Sequence, residues 1–165
     1  FFQAEDGIRD DLVTGVQTCS SDLLDEVPQV ERLLVMVQRE VGERMAAPVG
    51  GREYGAVSVK IAYHGAARVV GSVAPSVFLP PPRVDSALVR IDRHPHPTVE
   101  VPSRTALFAL VQAGFAQRRK MLRRALVPHL GDRTVPVLEA AGVDPAARAE
   151  TLDLAAWAAL ARAAA

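Results

Sequence analysis

Cysteine is almost absent from this chain. Cys19 is the only one in 165 residues, so no internal disulfide can form, and a reducing compartment such as the cytosol suits the protein. No apolar run has the length needed to span a bilayer. The first residues have neither the basic start nor the apolar centre of a signal peptide. His64, His94, His96 and His129 have no partners at metal-ligand spacing, so no zinc site is expected. There is no phosphate-binding P-loop, no G-x-S-x-G and no nucleophile–base pair. Net charge is also lacking: 19 acids balance 19 Lys and Arg.

That balance hides an uneven distribution. Residues 1–23 carry five acids and one base, a net of −4, and residues 24–165 are therefore +4. Ser103 to Leu130 holds six Arg or Lys and no acid. Such a local block says more about partners than the total does. Hydrophobic residues make up 49% and charged residues 23%, as in an ordinary globular chain with a core of useful size.

Residues 1–23 show no sustained helical or strand period. Gln3 to Asp10 and Val13 to Leu23 are similar to translated sequencing-adapter DNA, and an adapter-derived segment is excluded from reasoning about fold. Cys19 then falls outside the native portion, which is expected to begin at Leu24.

From there the chain reads as α/β. Leu24–Pro28 reads as the tail of a helix and a turn. Leu33–Val37 is a continuous apolar run, expected to be a parallel strand covered on both faces. Gln38–Ala47 reads as a short helix. Tyr54–Tyr63 alternates as a strand would, and Ala67–Val73 and Val84–Ile91 read as further strands. Residues 93–102 are a Pro-containing linker without period.

Ser103–Leu126 is expected to be one long helix with Ser103 as N-cap, an apolar stripe at Phe108, Val111, Phe115, Leu122 and Leu126, and Pro128 beyond its end. Helices are also expected at Val135–Ala141, from Asp144-Pro145, and over Leu152–Ala164.

Two stretches carry chemistry. Phe78-Leu79-Pro80-Pro81-Pro82-Arg83-Val84-Asp85-Ser86 is a stiff extended segment, because each Pro fixes φ, lacks an N–H and restrains its predecessor. Its plain reading is a rigid surface loop with Phe78 as an anchor. The second stretch holds Arg118, Arg119, Lys120, Arg123 and Arg124 within seven residues. Clustered cations of this kind suit RNA phosphates. They suit equally a solvated helix face, and some could pair with acids such as Glu150.

These stretches, with Leu34–Val41, Arg52–Val59, Gly142–Pro145 and Arg148–Glu150, resemble in series the bacterial small-subunit rRNA adenine N6,N6-dimethyltransferases. The resemblance runs from Leu24 to Ala165. It implies the C-terminal portion of a Rossmann-like methyltransferase sheet over 24–92, the linker 93–102, and a small all-helical, rRNA-facing domain over 103–165.

The same resemblance implies a parent that is a cytoplasmic enzyme. That parent transfers methyl groups from S-adenosylmethionine to two adjacent adenines of small-subunit rRNA in the assembling 30S particle, with no metal and no membrane. Phe78 and Pro80, Pro81 and Pro82 would wall the target-base pocket, since the base must leave its stack. Arg118, Arg119, Lys120, Arg123 and Arg124 would face RNA.

The family's Gly-rich loop, ribose-binding acid and Asn-Leu-Pro-Tyr motif do not occur in this sequence. The chain alone is therefore expected to lack a cofactor site and catalytic residues, to be inactive, and to be poorly soluble. Two alternatives remain: a related large-subunit rRNA methyltransferase of the macrolide-resistance type, and a non-catalytic RNA-binding module.

Overall fold

The computed structural model describes Leu24 and residues 29–165. The adapter-like segment 1–23 and the turn expected at 25–28 lie outside the described residues; Leu24 itself is helical and buried.

A three-stranded sheet comes first, in the order β1 (Arg32–Gln38), β3 (Ser86–Arg93), β2 (Gly65–Val73). Both pairings are antiparallel. The parallel, doubly covered strand expected at Leu33–Val37 is corrected on both counts. β1 runs antiparallel to β3 from Arg32↔Asp92 to Gln38↔Ser86, and only one of its faces is covered. Leu34 and Met36 are 63% and 52% exposed, while Val37 is buried. An unbroken apolar run marks a strand that could be covered on both sides, but within the described residues helices lie against one side alone.

α1 (Arg39–Met45) follows β1 directly and buries Val41 and Met45, one turn apart, on the sheet. The next element differs from expectation. Residues 54–63 are not a strand: α2 spans Ala56–His64. The alternation that suggested a strand is two i, i+4 stripes interleaved. Val57 and Ile61 join the sheet cluster, and Val59 and Tyr63 join a second cluster made with the helices that follow. A helix buried on two sides shows no polar face, so the period-2 pattern masks the 3.6 period. Ser58 secures its start. The hydroxyl accepts from Gly55 N at 3.0 Å and donates to Arg44 O at 2.6 Å.

Beyond residues 94–102, Ser103 caps α3 (Arg104–Ala116) as expected, its Oγ accepting from Ala106 N at 3.2 Å. α3 buries Leu107, Leu110, Val111 and Gly114. The expected long helix to Leu126 is instead two. A turn at 117–121 separates α3 from α4 (Leu122–Ala125). The backbone explains the break. Leu122 N and Arg123 N donate to Ala147 O (2.8 Å) and Pro145 O (3.1 Å), so tertiary acceptors replace those a continuous helix would supply.

The same bonds correct the helix expected from Asp144-Pro145. The segment is a turn, with Asp144 Oδ1 accepting from Ala146 N at 2.8 Å, and its carbonyls point at α4 rather than into a helix of their own. Short α5 (Val127–Leu130) follows, with Pro128 in its first turn. α6 (Thr134–Ala140) ends near Gly142, whose φ of 68° favours glycine. α7 (Leu154–Ala164) is capped by Asp153. It inserts Trp157 and Leu160, both 0% exposed, against α3. Gly114 permits that approach, because a Cβ there would stand 2.5 Å from the Trp157 ring.

Candidate functional site: a proline rim and a cation turn

The first group of predicted residues lies at one end of the sheet. Gln38, Ser86 and Val73 are in register at the end where β1 finishes, and the connection 74–85 leaves and returns there. In open α/β sheets ligands bind beyond the carboxyl ends of strands. Pro75–Val77 make one tight turn. Phe78 follows in extended backbone and is half-buried, not a core residue. Leu79 is 96% exposed, and Pro80, Pro81 and Pro82 are exposed. The Leu79–Pro80 peptide is cis.

The return of this loop is anchored by Arg39. Its backbone N donates to Asp85 O at 2.9 Å, and its guanidinium pairs with Glu43 (2.9 Å) and Asp85 (3.5 Å). Glu43 first and Asp85 second raise the Arg39 pKa. With Gln38 and Arg83 these groups line an open recess of about 380 Å³.

The second group sits on the turn between α3 and α4. It divides into one structural residue and four solvent-facing ones. Arg118 pairs with Glu150 (Nε–Oε2 2.9 Å) and donates to the carbonyl of Arg52. Gly50 N in turn donates to Glu150 O at 3.0 Å. Arg118 therefore ties the turn to the 50–52 loop.

Arg119 and Lys120 on the turn, and Arg123 and Arg124 on α4, are exposed with no carboxylate at ion-pair distance among the described residues. They do not share one helix, as the sequence suggested. Sequence reasoning missed Arg148 as a neighbour of this group. It is exposed and lies across an antiparallel bridge from Met121. Only the backbone pairing of 145–148 with 121–123 brings it there, and no helical spacing could have revealed it.

The two groups rest on different cores. The rim stands on the sheet cluster, the cation turn on the helical cluster. Among the described residues no three His, Cys, Asp or Glu side chains are grouped to hold a metal ion, and no helix is long and apolar enough to cross a membrane.

The fold is that of part of a methyltransferase sheet with an appended helical domain. It is shared with a dimethyladenosine transferase from Plasmodium falciparum (TM-score 0.72, 21% identity, 96% of this chain and 63% of that one). It is shared too with the 23S rRNA methyltransferase ErmE (TM-score 0.60, 22% identity, 90% and 61%).

Residues 17–165 match the family model for ribosomal RNA adenine dimethylase, and the chain belongs to that family. Among its relatives is ribosomal RNA small subunit methyltransferase A of Acidothermus cellulolyticus, 51% identical over 136 residues, 81% of this chain and 47% of the relative. The protein of the same description from Streptomyces avermitilis is 48% identical over 132 residues, 79% and 45%. The chain thus spans about half the length of these relatives.

Proposed function

We propose that this chain is the RNA-docking part of a small-subunit rRNA adenine N6,N6-dimethyltransferase. The four cations at Arg119, Lys120, Arg123 and Arg124, with no carboxylate partner among the described residues and beside amides that donate to Pro145 O and Ala147 O, carry the reading. Guanidinium and ammonium groups held on a fixed backbone suit the phosphates of folded RNA, which is recognised largely by shape and backbone. The relatives' descriptions name the small ribosomal subunit, which favours its rRNA over the large-subunit substrate of the macrolide-resistance type.

The whole protein would transfer methyl groups from S-adenosylmethionine to N6 of two adjacent adenines during assembly of the 30S particle in the cytoplasm. In that protein Phe78 and Pro80–Pro82 would form one wall of the pocket for the flipped base. An exposed, stiff Pro segment holds its neighbour with little conformational freedom to lose, and positioning of this kind supplies much of the acceleration in such transfers.

The residues present here do not fit the cofactor. The loop containing Gly50-Gly51 is engaged with Glu150 and Pro48 instead. No catalytic step is assigned to this chain, and on its own it would act as a non-catalytic RNA-binding module.

Binding to a small-subunit rRNA 3′-end hairpin tests the proposal. Four phosphate contacts at ~0.9 each predict a slope of about −3.6 in log affinity against log salt, so raising salt from about 50 to about 200 mM weakens binding about 150-fold. Calorimetry with S-adenosylmethionine should show no binding. Salt-independent binding, or none, would overturn the assignment.

A further inference from the structure

The open face of the sheet carries a second cationic group. Arg32 of β1, Arg68 of β2 and Arg90 of β3 surround one carboxylate, Asp92. Arg32 Nε lies 2.7 Å from Oδ1; Arg90 and Arg68 lie 2.9 Å and 3.3 Å from Oδ2. Side-chain exposures are 66% for Arg32, 60% for Arg68 and 34% for Arg90. Arg32 and then Arg90 hold the Asp92 carboxyl below the usual carboxylate range, so it stays ionised. The group has a net charge of +2. Glu31 and Arg93 line the adjoining recess with Arg32 and Asp92, and their formal charges cancel.

Stability explains only part of this arrangement: Arg32 and Asp92 are cross-strand partners of opposite charge, which supports the sheet. Arg68 and Arg90 are direct cross-strand partners, and like charges placed opposite on one face destabilise a sheet. Local choices that oppose the fold concentrate at functional positions. Asp92 uses only part of each guanidinium fork, and all three arginine side chains keep exposed area.

We propose that Arg32, Arg68 and Arg90 form a second phosphate-binding site, which takes a backbone phosphate of the bound RNA. It is separate from the cation turn and stands on the face of the sheet away from α1. The site rests on the RNA-docking reading above.

Fluorescence anisotropy with a labelled RNA hairpin tests it. The paired change Arg68→Gln and Arg90→Gln should weaken binding about tenfold and lower the salt slope by about one. Lys at both positions should restore the slope. Asp92→Asn removes the competing carboxylate and should tighten binding, a sign that a merely structural role for Asp92 would not give.

If the Gln pair binds as the native protein does while Arg119→Gln with Lys120→Gln weakens, the second site is wrong and the RNA reading stands. If the native chain binds no RNA, both fall. Titration with inorganic phosphate, followed by NMR of the Arg side-chain N–H signals, separates the two sources. Saturation by free phosphate that RNA cannot displace would mark a small-anion site and overturn the assignment to RNA.

Discussion

Tyr54 gives the sharpest test of the packing. Its ring meets Phe115 edge-on at 5.8 Å, and its hydroxyl donates to Leu152 O at 2.9 Å inside the helical cluster. The residue is 3% exposed. Burial first, and the charge of Asp153 second, push the hydroxyl pKa from 10.0 up to about 12. Between those values the native protein keeps a proton that the unfolded chain has lost. The stabilisation is therefore complete below pH 10 and disappears as pH rises through about 12. At ~1.4 kcal/mol per tenfold change it amounts to about 3 kcal/mol.

Tyr54→Phe keeps the ring and removes both the bond and the titration. Leu152 O then loses its buried donor, at a cost of about 1–3 kcal/mol near neutral pH. Urea unfolding followed by fluorescence of the single tryptophan, Trp157, measures both proteins at several pH values. The gap between native protein and variant should be widest below about pH 9 and should close by about pH 12. Parallel stability curves over that range would refute the argument, because other groups titrate equally in both proteins.

Three further outcomes follow from the packing and the charges. Gly114→Ala brings a Cβ within 2.5 Å of the buried Trp157 ring. The overpacking outweighs a helix-propensity gain of ~1 kcal/mol, so thermal melting should show a loss of about 1–2 kcal/mol, and a more stable variant would contradict the packing described. Arg118→Gln should lower the melting temperature by a few degrees while leaving the RNA salt slope nearly unchanged, whereas Arg119→Gln should do the reverse; equal effects would dissolve the distinction between the two. Leu34→Lys with Met36→Lys should raise the soluble yield of the chain made alone, since both side chains stand exposed on a strand whose outer edge has no partner among the described residues; no change in yield would locate the liability elsewhere.

What could be read beforehand was whatever a single periodic face decides. α1, β2, β3, α6 and α7 lay close to where the pattern placed them, and the Ser103 cap was legible because capping is local chemistry. The failures share a cause, competition from distant partners. Val57, Val59, Ile61 and Tyr63 alternate because α2 serves two cores. The α3–α4 helix breaks because carbonyls some 25 residues further on bind its amides. In the candidate site, Phe78 and the Pro run were visible as motifs and the cation cluster as charge. A pairing of one of these arginines with Glu150 was also expected and is present, but that it falls to Arg118, and that Arg148 joins the others, depends on a loop that only folding brings alongside.

α2 has one more consequence. Its Val57 and Ile61 are locked into the sheet and its Val59 and Tyr63 into the helices, all nearly inaccessible. Such a helix cannot roll or slide without emptying one core, at a cost of about 2–5 kcal/mol for each large side chain withdrawn. It acts as a rivet. The sheet that carries the proline rim and the helical cluster beneath the cation turn are thus joined through one shared helix. If RNA meets both ends, as proposed, such a chain would work as a caliper: the RNA would have to have, or be bent into, the matching shape, and selection by shape needs no contact with a base edge.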